Sequence, residues 1–207
     1  MPLQLVGETM DKTRSHYLAE AGKIVQLRRG IYVDAGDDIE QTVLSHAVRI
    51  ARHLYPRAYL SGASAVLLGP TRDGRLYLSG QRVQRTRIRS LEIVQNKAPV
   101  QPSIASALVA DSLGEFSVSV SAVRQRFLEA FRIRSEHAAS IDTAMREAIA
   151  ARLIEEYGNP KAASDAVWAL ARENQWFREG ERAEKALLQR PAAVAARNEA
   201  AFDLQVA

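Results

Sequence analysis

The chain has 207 residues, of which 47% are hydrophobic and 25% are charged, and its formal net charge is +4. This composition is typical of a globular protein and excludes an intrinsically disordered chain. The sequence has no cysteine, which excludes disulfides, thiolate zinc sites and cysteine nucleophiles. It also has no run of about 18 apolar residues and no secretory signal pattern, so we expect a cytoplasmic protein that does not enter a membrane.

The positive charge is concentrated in the first half of the chain. Residues 1–97 contain 15 Lys and Arg against 9 Asp and Glu, a net charge of +6, whereas residues 98–207 contain 13 against 15, a net charge of −2. A basic region of this kind favours a negatively charged partner, most often nucleic acid. The alternative is an ordinary solvated surface with a few additional arginines.

The first predicted element is a short helix over residues 9–21. Its sequence, TMDKTRSHYLAEA, places Met10, Tyr17 and Leu18 at helical spacings, and Gly22 is a typical residue to follow a helix. Ala21 continues the same spacing, so we expect a short helix here.

A basic hairpin follows the helix directly. Residues 24–27 and 31–33 have the pattern of two strands, and Arg28-Arg29-Gly30 forms the turn between them. A helix followed by a basic-tipped hairpin is the C-terminal half of a winged helix. In that arrangement the helix enters the major groove of DNA, while the hairpin lies against phosphates or the minor groove.

A middle segment of mixed helices and strands comes next. A capping pattern predicts one continuous helix over residues 38–55, small residues predict a helix over 61–68, and alternation predicts strands over 75–80 and 88–95. Between these two strands lies a second basic segment, whose arginines are Arg82, Arg85, Arg87 and Arg89. This segment indicates either phosphate contact or a charged edge strand that resists aggregation, and the sequence leaves both open.

Helices are predicted for most of the chain beyond residue 100. A short strand at Val118 and Val120 is expected to precede helices that begin at Ser121, cover 137–156, begin at Asn159-Pro160, and cover 179–189. Phe202–Ala207 alternates like the start of another strand. We therefore predict an α+β protein with a partial winged helix-turn-helix over 1–35, a small mixed α/β segment over 36–100 and a helical subdomain over 101–207.

The sequence lacks recognisable catalytic and metal-binding motifs. Gly69 and Gly74 have the spacing of a phosphate-binding loop, but Arg75-Leu76 replaces the Lys-Ser/Thr pair that such a loop requires. His46 and His53 are seven residues apart on a predicted helix, which is too far for them to bind one metal ion together. We therefore expect no enzyme activity, no cofactor and no metal site.

Several stretches together resemble one known family. The run AGKIVQLRRGIYV, the later run YPRAYLSGASAVLLGP, and the strand DGRLYLSG with its Arg-rich neighbour are similar to the AbiEi-type transcriptional regulator and antitoxin family. The resemblance covers roughly residues 8–97. The remaining helices and the strand-like Phe202–Ala207 are similar to the part that precedes the kinase of HipA-like toxins when such a regulator is fused to it.

The resemblance implies a DNA-binding antitoxin. Members of this family bind inverted repeats in double-stranded DNA, repress their own operon, and use the following domain to neutralise a cognate toxin. A palindromic operator requires a homodimer, or two copies aligned by the DNA. The residues that match the recognition helix are Lys12, Thr13, Arg14 and Ser15, with His16 beside them, and those that match the wing are Lys23, Arg28, Arg29 and Tyr32.

The chain departs from the family in one respect. Only about eight residues precede the predicted recognition helix, too few for the two helices that normally complete a winged helix. Either the domain is shortened and packs on the 38–55 helix, or DNA binding has been lost and the segment contacts a toxin. If DNA binding has been lost, the chain is instead expected to be the N-terminal interaction module of a HipA-like kinase toxin.

Overall fold

The computed structural model describes residues 3–189, which form a mixed α and β fold, as the sequence predicts. The chain divides into two compact units. The first unit holds the described residues up to Ala98 together with Ile104–Ser121, and the second, the helical unit, holds Pro99–Ser103 and the described residues from Ala122 onward. Within the described ranges, no helix is long and apolar enough to cross a membrane.

The first unit begins with a three-stranded antiparallel sheet, called the small sheet. Its strand order is β1-β3-β2, so the last strand of the segment lies in the middle, and α1 connects the two outer strands. The Asp11 side chain caps α1 by accepting a hydrogen bond from the Arg14 backbone N–H at 2.8 Å. The elements are β1 (Leu3–Leu5), α1 (Lys12–Glu20), β2 (Ile24–Arg28) and β3 (Ile31–Asp34).

The rest of the first unit contains a six-stranded mixed sheet, called the large sheet. Its strand order is β6-β7-β5-β4-β9-β8, with parallel pairs at β5–β7 and β4–β9 and antiparallel pairs elsewhere. The elements are α2 (Ile39–Ser45), α3 (Ala47–Leu54), β4 (Tyr59–Leu60), α4 (Gly62–Leu67), β5 (Arg75–Gly80), β6 (Gln84–Ile88), β7 (Leu91–Lys97), β8 (Ile104–Asp111) and β9 (Gly114–Ser121).

One apolar core joins both sheets. Leu5 and Val33 of the small sheet, Ile50 of α3, and Leu76 and Ile93 of the large sheet belong to the same cluster of buried side chains. Burying each of these side chains stabilises the fold by about 1.5–3 kcal/mol. The small sheet is therefore part of the body of the first unit.

The helix predicted over residues 38–55 is interrupted in the structure. Asp38 caps α2 as expected, but the backbone leaves the helical conformation at His46, and α3 begins at the next residue. His46 Nδ1 lies 2.9 Å from the Thr42 carbonyl and Nε2 lies 2.8 Å from the Ser112 hydroxyl. These contacts hold the imidazole between its own helix and the turn after β8, which accounts for the interruption.

The structure also differs from the expected boundary of the helical subdomain at residue 101. Residues 104–121 form the β8–β9 hairpin of the large sheet, because Phe116, Val118 and Val120 alternate into the apolar core of the first unit. The following helix is preceded by Ala122 as its N-cap residue, so the prediction that Ser121 caps it is wrong.

The helical unit contains five helices within the described residues. The prediction that a helix begins at Asn159-Pro160 is confirmed, since the Asn159 side chain accepts a hydrogen bond from the Ala162 N–H at 2.8 Å. The single helix predicted over 137–156 is two helices, with Asp142 capping the second. Phe202–Ala207 lies outside the described residues. The helices are α5 (Val123–Glu129), α6 (Glu136–Ser140), α7 (Thr143–Tyr157), α8 (Pro160–Glu173) and α9 (Phe177–Leu188).

A buried arginine connects three separate segments of the first unit. The Arg49 side chain, which is 7% exposed, donates hydrogen bonds to both carboxylate oxygens of Asp111, at 2.8 and 2.9 Å. It also donates to Glu8, in the turn before α1, at 2.6 Å and to the Gly114 carbonyl at 2.8 Å. Its guanidinium lies 4.1 Å from the centre of the Phe116 ring. We call these residues the Arg49 cluster.

The Arg49 cluster keeps its charges in the folded state. Burial of the Asp111 carboxylate raises its pKa, but hydrogen bonds from Arg49 and the Leu113 N–H, together with the charge of Arg49, give a net pKa below the ordinary value. The hydrogen bond to Asp111 likewise raises the pKa of Arg49. The cluster is therefore a paired, ionised group in the interior.

Replacing the central arginine should strongly destabilise the first unit. Arg49→Met keeps most of the apolar stem but leaves the buried Asp111 carboxylate without its cation, so we expect the free energy of unfolding to fall by about 3–5 kcal/mol. Urea unfolding followed by far-UV circular dichroism measures this loss. Arg57→Met, an exposed arginine in the turn that follows the same helix, is the matched control and should change stability by less than about 1 kcal/mol. Equal losses in both variants would contradict the role of the cluster.

Asp111 should also make the fold sensitive to acid. Because its folded pKa lies below the unfolded value of 3.8, its contribution is fully present above that value and is lost as the pH falls through the folded pKa. Asp111→Asn should therefore lose less stability than the native chain as the pH falls below about 4. Urea midpoints measured across this range test the prediction, and parallel curves for the two proteins would refute it.

Candidate nucleic-acid interface

Helix α1 presents most of its predicted recognition residues to solvent. Lys12, Thr13, Arg14 and His16 are exposed. Ser15 is not, since it is only 1% exposed and its hydroxyl donates a hydrogen bond to the Lys12 carbonyl at 2.7 Å. The prediction that Ser15 faces DNA is therefore wrong, because its side chain is on the inward side of the helix.

Tyr17 is a large apolar side chain of α1 that faces solvent. It is 67% exposed, the largest exposure among the large apolar side chains of α1. Thr13 and Tyr17 are one turn apart and lie opposite Ser15, whereas Leu18 is partly buried. Ser15, Leu18 and Ala19 are three and four residues apart and form the inward side of the helix. The sequence does not make this side obvious, because Ser15 is polar.

The turn between β2 and β3 carries exposed arginines on a fixed backbone. Lys23, Arg28 and Arg29 are all exposed. The pairing of β2 with β3 shifts by one residue between Gln26 and Arg28, so the ribbon contains a bulge just before its turn. Gly30 follows with a φ of +80°, a conformation that favours glycine.

The turn of the ribbon rests on helix α3. A side-chain carbon placed on Gly30 would lie 3.4 Å from Nε2 of His53 and 3.9 Å from Val6. The Gly30 carbonyl also accepts a hydrogen bond from the Val6 N–H at 3.0 Å. The backbone of the turn is thus held close to the protein, while the side chains of Arg28 and Arg29 extend into solvent.

Tyr32 occupies a different position from the other predicted wing residues. It lies in the central strand of the small sheet, opposite Gln4 on one side and Gln26 on the other, and is half-buried. It is therefore on the open face of the small sheet and not at the tip of the ribbon.

The exposed cations of α1 and the ribbon are not neutralised by neighbouring acids. Among the described residues, the side chains of this group form no ion pair or hydrogen bond with one another or with an acidic residue. The acidic Glu20 lies 3.3 Å from His16, one turn away on the exposed surface. The cations, which we call the basic helix-ribbon surface, are Lys12, Arg14, Lys23, Arg28 and Arg29.

The second basic segment has a different environment. β6 lies at an edge of the large sheet, with Thr86 and Ile88 buried and Arg85 and Arg87 on the exposed face. Arg85 forms an ion pair with Glu92 at 3.2 Å, and Arg75 contacts the same carboxylate at 3.1 Å. This partial neutralisation favours the interpretation of β6 as a charged edge strand.

The four arginines of the second segment lie in and around β6, on a different sheet from the ribbon. Arg82 and Arg89 lie in the turns that flank β6, and Arg89 has a left-handed backbone with a φ of +54°. All four belong to the large sheet, whereas α1 and the ribbon belong to the small sheet. The two predicted basic groups therefore lie on different sheets of the first unit.

No protein-family model and no curated protein matches this chain. Among residues 3–189, no three His, Asp or Glu side chains are grouped closely enough to hold a metal ion. The basic helix-ribbon surface is the set of exposed charged residues that two adjacent elements bring together, and it is the candidate site.

Proposed function

We propose that this chain is a DNA-binding transcriptional regulator of the antitoxin type. The observation that carries the proposal is the basic helix-ribbon surface, in which five exposed cations, without acidic partners among residues 3–189, lie on a helix and the ribbon that follows it. A surface of this kind binds DNA by neutralising phosphates and releasing counterions. Such binding needs no cofactor.

The order of the strands supports a winged-helix interpretation. A strand before the helix pairs with the returning strand of the ribbon, so helix and ribbon share one small sheet. In this arrangement α1 would lie in the major groove and the ribbon would lie on the flanking backbone. The ribbon arginines would then set the position of the protein on the duplex.

The short segment before α1 is compatible with this proposal. Leu3, Leu5 and Val33 of the small sheet pack in the same buried cluster as Val43 and Ile50 of the α2–α3 pair. The α2–α3 pair thus supplies a packing surface for the small sheet. This supports the shortened winged helix over the loss of DNA binding.

The exposed residues of α1 suggest a division of roles. Thr13 and Tyr17 are farthest from the small sheet and are therefore proposed to reach base edges, where the methyl group of thymine offers an apolar contact. Lys12 and Arg14 flank them and are proposed to contact phosphates.

A toxin contact is the second part of the proposal and rests on the family resemblance. The helical unit carries three large apolar side chains that are exposed, Ile133, Phe177 and Leu188. Exposed apolar side chains of this size are typical of protein interfaces. We therefore propose the helical unit as the toxin-binding part of the chain.

DNA binding should depend on the two arginines of the ribbon. The test is a fluorescence anisotropy titration with the DNA fragment that precedes the gene, at several salt concentrations. Affinity falls as salt rises, so a plot of log affinity against log salt has a negative slope. In the double variant Arg28→Ala and Arg29→Ala this slope should be shallower by about 2, because two phosphate contacts are lost. Affinity at about 0.15 M salt should then fall by on the order of tenfold or more.

The matched control removes the same charge from the helical unit. Arg178→Ala with Arg182→Ala replaces two exposed arginines of α9 and should leave both the affinity and the salt slope unchanged. A similar loss in the control pair would reject the basic helix-ribbon surface as the site. No binding by the native chain even at low salt would reject the regulator and favour the interaction module of a kinase toxin.

A further inference from the structure

Strand β8 is an edge of the large sheet whose outer side pairs with no strand among the described residues. It extends over eight residues, and its pairing with β9 continues without a bulge from Ile104 to Asp111. Its outward-facing side chains include Ile104, which is 48% exposed, and Leu108, which is 61% exposed. An edge that is long, regular and apolar is a ready template for another strand.

The opposite edge of the same sheet is protected, which makes the contrast informative. β6 carries Arg85 and Arg87 on its exposed face, and charged residues on an edge prevent pairing with another chain. From Ile104 to Ala110, β8 has no charged residue and no proline. Proteins normally protect edge strands against pairing with other chains. The unprotected β8 edge therefore favours a role in binding a partner.

We infer that β8 is the pairing surface for a second copy of this chain, which adds its own β8 in antiparallel orientation. The pairing is centred on Ser106 and joins two large sheets into one continuous sheet. A two-fold axis through this point makes the contact identical for both copies, as in most homodimers. Each copy thereby covers the open edge of the other.

The proposed register pairs the exposed apolar residues. Ile104 lies opposite the partner's Leu108, and Leu108 lies opposite the partner's Ile104, with the two Ser106 residues between them. Apolar side chains that lie directly opposite one another on adjacent strands stabilise the pairing of those strands. The two apolar side chains that are most exposed on β8 are therefore covered by one another.

The charges of the two edge strands also favour β8 over β6 as the edge that pairs with a second copy. A pairing of two β6 strands would bring arginines of both copies together, whereas the β8 pairing brings no like charges into contact. The only charged residue of β8 is Asp111, and its carboxylate is bound by Arg49 in the interior. Two identical chains can therefore pair at this edge without electrostatic repulsion.

The strand contact is small, which sets the expected affinity. The five paired residues, Ile104 to Leu108, extend over about 17 Å. A strand contact of this length buries less than the roughly 1,200 Å² found in most stable complexes. We therefore expect a dimer that forms reversibly as concentration rises. The inference stands apart from DNA binding, although a two-fold dimer suits an inverted-repeat operator.

A single engineered cysteine tests the register, because the chain has no cysteine of its own. Ser106→Cys places two thiols across the proposed axis, so mild oxidation should convert most of the protein into a disulfide-linked dimer. Ser119→Cys is the matched control, since Ser119 pairs directly with Ser106 but lies one strand further from the edge. Two such thiols would be about 14 Å apart and should not cross-link efficiently.

A charge placed on the edge tests the interface itself. Leu108→Lys should raise the dimer dissociation constant at least tenfold in sedimentation velocity experiments without DNA. Val83→Lys, an equally exposed apolar residue beside β6, should leave the dissociation constant unchanged. A native chain that stays monomeric at high concentration and shows no preferential Ser106→Cys cross-link would overturn the inference. A dimer that persists in Leu108→Lys would overturn it as well.

Discussion

The first unit depends on one buried ionic contact, the cluster around Arg49. Removing an arginine and a carboxylate from water is costly, and the cost is offset here because Arg49 donates to Asp111, Glu8 and the Gly114 carbonyl and lies on the Phe116 ring. These groups come from four different segments. The contact therefore fixes the turn before α1 and the turn between β8 and β9 against the same helix, α3. The position of α1 and the regular geometry of β8 both follow from it.

The excess positive charge of the first half serves three separate structural purposes. Arg49 is buried and holds segments together, while Arg75 and Arg85 share the Glu92 carboxylate at the edge of the large sheet. The cations of α1 and the ribbon stay exposed and form no ion pair within the described residues, as do Arg82, Arg87 and Arg89 around β6. Net charge correctly indicated a basic region, but burial and pairing reduce the part that can attract an anionic partner. The same principle makes the two edges of the large sheet unequal, since arginines protect β6 and leave β8 as the open one.

Local signals predicted the elements that local contacts determine. The ribbon turn at Arg28–Gly30 and the helix start at Asn159-Pro160 are specified within a few residues, and both are found where the sequence indicates. The interruption at His46 could not be predicted, because it depends on Ser112, 66 residues away. The same applies to the β8–β9 hairpin, whose burial requires the large sheet, and to Arg49, which resembles any surface arginine until Asp111 is brought beside it. Within α1, the buried residue is Ser15, so the position of the inward side could not be predicted from apolar residues alone.

The central claim is that the Arg49 cluster makes the small sheet and the β8–β9 hairpin one cooperative body. Native-state hydrogen exchange measured on Arg49→Met tests it most directly, with the amides of β3 and β9 as reporters. The account predicts that the opening free energies of the two strands fall together and by similar amounts, because both lose the same anchor. Loss of protection in β9 with unchanged protection in β3 would contradict it, since the small sheet would then be held by its apolar packing alone.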